Sequence, residues 1–154
     1  MKVFLLAVTI LLLVNRIRST PRMLSKTLYE NNTQKAIDKL KKQIDGIETM
    51  SNKEDVLKIM QYLVAVLVWL YAMLIIIYYI LVGNRFPSNA TMLMLTAIQI
   101  VTMFIGTKMT LKEFDMVNPE NMSNNIKYHR SWFLFNVMLD YIYYPITIYL
   151  LLNN

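Results

Sequence analysis

The residue with the largest chemical consequence is Asp140, which stands near the middle of an otherwise apolar run, WFLFNVMLDYIYYPITIYLLL (132–152). An ionisable group at such a depth is expensive to place in hydrocarbon, so its presence marks a site. A carboxylate there can bind a proton or a cation, or it can clamp neighbouring helices through hydrogen bonds. Asn136 precedes it by one helical turn, and Tyr143, Tyr144 and Thr147 continue the stripe. A second polar stripe, Thr96, Gln99, Thr102 and Gly106, recurs at three- and four-residue steps in TMLMLTAIQIVTMFIGT (91–107), a pattern suited to close helix contact.

The depths of the two stripes agree. If Lys108 and Ser131 mark the ends of these runs, Gln99 and Asp140 each lie nine residues, about 13 to 14 Å, from the same boundary. An antiparallel hairpin would bring them face to face, which predicts a hydrogen-bonded cluster of Gln99, Asn136 and Asp140 with a tyrosine hydroxyl as a fourth member. No Lys or Arg falls at that depth in any apolar run, so Asp140 is expected to keep its proton and donate a hydrogen bond. Pro145 denies the carbonyl of Tyr141 its amide partner and predicts a helix kink beside Asp140.

Little other chemistry is available. Without cysteine the chain has no disulfide framework, thiolate nucleophile or cysteine-ligated metal. The lone His129 cannot build a multi-histidine site and reads as an interfacial residue beside Arg130. No catalytic set, cofactor motif or metal site is expected, and the chain is read as non-enzymatic.

The elements that hold these side chains are themselves apolar. Hydrophobic residues make up 56% of the 154 residues, above the roughly 45 to 50% of soluble domains. They gather in four blocks with nearly all the charge between them. Helices of a soluble bundle would carry polar faces that these blocks lack. The expected fold is an all-α integral membrane protein with four transmembrane helices and an amphipathic cytoplasmic helical segment between the first and second.

Three spans are placed at about 59–82, 89–107 and 132–152, within a membrane domain covering 52–154. Ser51 and Glu54 form a capping box for one helix from about Asn52 to Val82, which Gly83 and Asn84 end. Ser88 is the expected cap of the next helix. The last span carries eleven Leu, Ile, Phe and Val residues. At about 0.3 to 0.6 kcal/mol each they only modestly outweigh the roughly 2.5 to 3.5 kcal/mol of a central Asp, so this span should lean on a neighbour.

The first block, 3–14, is short and is similar to the apolar region of a signal peptide. The Asn15, Arg16, Ile17, Arg18 sequence behind it offers no small-x-small cleavage site, so a retained anchor over 1–18 is expected. Residues 19–51 are read as basic amphipathic helices. Thr20 and Pro21 predict a helix start, and Asn31 with Asn32 a break. Beyond it Ile37, Leu40, Ile44 and Ile47 recur at 3,4,3 spacing, with Lys39, Lys41 and Lys42 on other faces. These residues are the expected lipid- or partner-binding surface.

Charge orients the spans. Ten Lys and Arg lie between the first and second blocks and four between the third and fourth, against Lys2 and Arg85 elsewhere. Because positive loops stay cytoplasmic, both termini are expected outside, with the basic loops inside, in the cell (inner) membrane. The +6 net charge thus points to a membrane surface, and no nucleic acid is expected as a partner. The anticipated partners are the lipid bilayer and other membrane proteins or a second copy. Two functions fit. One is assembly, as a membrane-complex subunit or a phage-type host-modifying factor. The other is an oligomeric proton- or ion-linked transporter or channel subunit using Asp140.

Overall fold

The computed structural model describes residues 1–45, 53–113 and 130–153. Among them are five helices and no strand: α1 (Lys2–Leu24), α2 (Lys26–Asp45), α3 (Lys53–Arg85), α4 (Ala90–Glu113) and α5 (Arg130–Asn153). All but α2 contain a stretch long and apolar enough to cross a membrane, at Lys2–Pro21, Asp55–Arg85, Ala90–Lys112 and Arg130–Asn153, as a multi-pass membrane protein requires.

The distribution of side chains fits a lipid solvent. On α3 the leucines 63, 67, 70 and 74 and Ile77 form an exposed stripe at three- and four-residue steps. Thr96, Gln99, Thr102, Asp140 and Thr147 are buried instead. In water that arrangement would leave a continuous apolar face uncovered. In hydrocarbon it is the favourable one, because polar groups then find partners only inside the bundle.

Several boundaries differ from the sequence expectation. Pro21 does not start a helix; α1 runs through it and ends at Ser25, whose extended backbone (φ −79°, ψ 118°) breaks the chain direction. The side chains of Ser19 and Thr20 each donate to the carbonyl of Arg16, at 2.9 and 2.8 Å, so hydroxyls help to hold the turn that contains the proline. Nor do Asn31 and Asn32 interrupt α2, which is continuous to Asp45. Gly83 and Asn84 lie inside α3 rather than ending it. The cap of α4 is Asn89 and not Ser88: Asn89 Oδ1 accepts from the amide of Met92 at 2.9 Å. That shift follows from the tight turn closed by the Phe86 and Asn89 amides, which leaves Asn89 as the residue facing the free N–H groups. Ser51, of the expected capping box, lies outside the described residues.

The spans are arranged as two antiparallel pairs. α1 packs most extensively on α5 and α3 on α4, and the pairs meet through α4 and α5. From Met92 through Thr96 to Gln99, α4 advances by four and three residues; its partners Thr147, Tyr143 and Asp140 recede by four and three. That matched register is what two antiparallel helices of equal pitch must show. At one end of the bundle Leu5, Val82, Phe86, Met92, Tyr143 and Leu151 form a tightly buried core drawn from all four spans.

Gly83 sets the approach of α3 to α4. A Cβ placed on it would lie 3.2 Å from Thr96 Cγ2, a β-branched atom on the facing helix. Gly83→Ala should therefore lower stability by about 1 to 3 kcal/mol, the range for overpacking a close contact. Adding Thr96→Ser, which removes that methyl and keeps the hydroxyl, should restore most of the loss. Denaturant titration of the purified protein in detergent measures both; a Gly83→Ala variant as stable as the parent would show that the helices do not meet there.

Candidate functional site

The site is built where α4, α5 and α1 come together. Gln99 Nε2 donates to Asp140 Oδ1 at 3.1 Å across the α4–α5 contact. The other side of the amide faces α3, where the Tyr79 hydroxyl donates to Gln99 Oε1 at 3.5 Å. Tyr79 also meets the Tyr144 hydroxyl at 3.3 Å, so a tyrosine from α3 and another from α5 extend the cluster. Asn136 lies one turn below but turns its amide back to the carbonyl of Trp132, at 3.0 Å. The structure thus brings Gln99 and Asp140 together, and leaves Asn136 beside them without a hydrogen bond to either among the described residues.

The expectation that no cation reaches Asp140 is overturned. The guanidinium of Arg16, on α1, forms an ion pair with Asp140 Oδ2. That oxygen is buried, so the attraction between the two charges is little screened by solvent. The side chain of Asp140 is 3% exposed and that of Arg16 is 29% exposed, which makes the arginine the partner that reaches in. Its reach follows from the helix pairing. Arg130 donates to the carbonyls of Met23 and Leu24, which sets the end of α1 level with the start of α5. From that level Arg16 is about 12 Å deep and Asp140 about 15 Å deep at 1.5 Å per residue, a difference an arginine side chain spans.

Further residues complete the polar interior, and among them the sequence reading passed over Thr9. Thr9, fully buried in α1, donates to the carbonyl of Leu5 at 2.6 Å and meets the Tyr78 hydroxyl of α3 at 2.7 Å. Its signal in the sequence was a lone hydroxyl within VFLLAVTILLLV. Tyr143 pairs with Thr96 at 3.3 Å and stacks edge-on against Tyr79, with ring centres 5.1 Å apart. The tyrosines accordingly divide: Tyr78, Tyr79, Tyr143 and Tyr144 are buried, whereas Tyr71 and Tyr141 are exposed. Gly106, expected only to ease helix contact, faces the Trp132 indole, whose buried Nε1 would lie 3.4 Å from an added Cβ.

Pro145 is exposed within an unbroken α5. A cavity of about 360 Å³ adjoins the ion pair. Arg16 of α1, Tyr71 and Tyr79 of α3, Gln99 of α4, and Trp132, Asn136 and Asp140 of α5 border it, so all four spans contribute. It lies toward the Arg130 end, opposite the buried core. No three His, Cys, Asp or Glu gather as metal ligands among the described residues. Chemically the arrangement is a charge pair and an amide joining three helices beside an open, aromatic-walled space.

Of the surface expected on the second helix, Ile37 is buried, while Lys39 and Lys42 are exposed. Leu40, Lys41 and Ile44 belong to α2, and their side chains lie outside what the structure describes. Ile47 and the expected turn at Asn118 and Pro119 fall outside the described residues altogether.

Removing one member of a buried ion pair leaves the other charge without compensation, at about 3 to 5 kcal/mol. Arg16→Ala should cost an amount of that order in an unfolding titration, and Arg16→Ala with Asp140→Asn should recover a large part of it. Costs that simply add would show that the two residues are uncoupled. Comparison of the chain with protein-family models, with curated proteins and with solved structures finds no match in any of the three.

Proposed function

We propose that this chain is a small multi-pass membrane protein that acts by assembly with itself or with partner membrane proteins, as a complex subunit or a phage-type host-modifying factor, and not by catalysis. Its place is the cell (inner) membrane, with both termini outside and the basic segments on the cytoplasmic side. The observation that carries this reading is the engagement of Asp140 on both oxygens, by Gln99 of α4 and Arg16 of α1. A carrier site must exchange its occupant, whereas a carboxylate held by two side chains on two helices is a joint. The polar groups of the spans then hold the bundle together, and the work of the protein falls to its outward surfaces.

Mild crosslinking in the native membrane, followed by mass measurement in detergent, tests the assembly reading. A defined oligomer or a stoichiometric partner is the expected product; a monomer with nothing attached removes the reading.

A second reading, an oligomeric proton- or ion-linked transporter or channel subunit, is favoured by one feature, the cavity of about 360 Å³ that reaches Asp140 and Arg16. Proteoliposomes loaded with a pH-sensitive dye distinguish the two. The assembly reading expects no flux above that of empty liposomes. Flux that vanishes in Asp140→Asn would replace it with transport.

A further inference from the structure

A larger recess lies outside the four-span bundle, where α1 finishes. It is a crevice of about 790 Å³ between the last turns of α1 and one side of α2. Ser19 and Met23 form the α1 wall, and Tyr29, Lys35, Lys39 and Lys42 lie along the α2 wall. The three lysines are exposed and follow one another at steps of four and three, so they fall within about a sixth of the helix circumference. Ile37, on the opposite side of α2, is 3% exposed. The helix therefore turns an apolar residue inward and a row of ammonium groups over the crevice. Asp38 is the one acidic residue in the lining, and its Oδ1 already accepts from Gln34 at 2.9 Å.

The position of the crevice narrows its occupant. The apolar stretch of α1 ends at Pro21, between Ser19 and Met23, so the recess sits where a bilayer passes from acyl chains to headgroups. Leu24 and Leu28, beside the turn between α1 and α2, are both exposed and apolar. A clustered positive face next to exposed leucines at that level complements a molecule with a phosphate head and a hydrocarbon body.

We propose that this crevice seats the headgroup of an anionic phospholipid from the adjoining leaflet, with Lys35, Lys39 and Lys42 on the phosphate oxygens and Leu24 and Leu28 against the acyl chains. The proposal rests on the four long helices crossing a bilayer, and it stands whether the protein works by assembly or by transport.

Native mass spectrometry of the full chain, titrated with phosphatidylglycerol and with phosphatidylcholine in detergent, is the test. Phosphatidylglycerol should be retained in preference to phosphatidylcholine. A basic residue near anionic lipid contributes roughly fivefold in affinity, so Lys35→Gln, Lys39→Gln and Lys42→Gln together should weaken retention on the order of 100-fold. The triple change Lys26→Gln, Lys108→Gln and Lys112→Gln removes equal charge outside the crevice and should have less than a tenth of that effect. Equal losses from the two sets would mean diffuse surface attraction and overturn the site. Equal retention of the two lipids would overturn it as well. Displacement of the lipid by glycerol phosphate at comparable concentration would reassign the crevice to a soluble phosphate and overturn the lipid assignment. Circular dichroism separates loss of α2 from loss of binding, and Lys39→Arg, which keeps the charge, should bind as the parent does.

Discussion

A carboxylate buried among apolar helices must be answered by a proton, a cation or a set of donors, and in this chain Asp140 is answered by Arg16 and Gln99. The rest of the arrangement depends on that pairing. Arg16 belongs to the first helix and Asp140 to the last, so the contact draws the two ends of the sequence into one antiparallel pair. It also accounts for how a short apolar block, with two arginines close behind it, can sit inside the bundle. Asp140 is what α5 cannot comfortably carry alone, and Arg16 is what α1 cannot; each removes the other's penalty when α1 and α5 lie side by side.

The second pair of spans solves a different problem. α3 carries no charge across its apolar length, so nothing electrostatic directs it to a neighbour. Its position is set by shape, through Gly83 against Thr96, and by hydroxyl contacts such as Tyr78 with Thr9 and Tyr79 with Gln99. Such contacts matter in lipid because apolar side chains gain little by leaving one hydrocarbon surface for another, and close packing and interhelical hydrogen bonds must do the joining. Thr9, Thr96, Gln99, Thr102, Asp140 and Thr147 consequently run along the inside of the bundle.

The bundle is also unequal along its axis. The end holding Phe86 and Met92 is a close-packed aromatic and aliphatic core. Toward Arg130 the four spans border a cavity, and α2 lies beside the end of α1 with Lys35, Lys39 and Lys42 along the crevice between them. The open end holds both recesses and the ion pair. With no match among the comparisons to supply a family role, the functional readings rest on the engagement of Asp140 by Gln99 and Arg16 and on the cavity beside them.

Hydropathy and length alone determined three of the four long apolar helices, because a span needs about 20 apolar residues and a run of that kind is visible without any tertiary information; the first block, 3–14, was too short for that argument and was read as an anchor from the missing cleavage site behind it. Equal depth and helical period likewise made the facing of Gln99 and Asp140 legible. Local chemistry was less decisive: Thr20 and Pro21 read as a helix start and the Asn31, Asn32 pair as a break, yet helices run through all four. What only the tertiary structure decided is which helices lie side by side. The partnership of Arg16 with Asp140 joins residues 124 apart in sequence, and no periodicity within either helix reports on it. The pairing arises because an arginine side chain can reach several ångströms along a neighbouring helix, a degree of freedom that spacing along one chain segment does not encode.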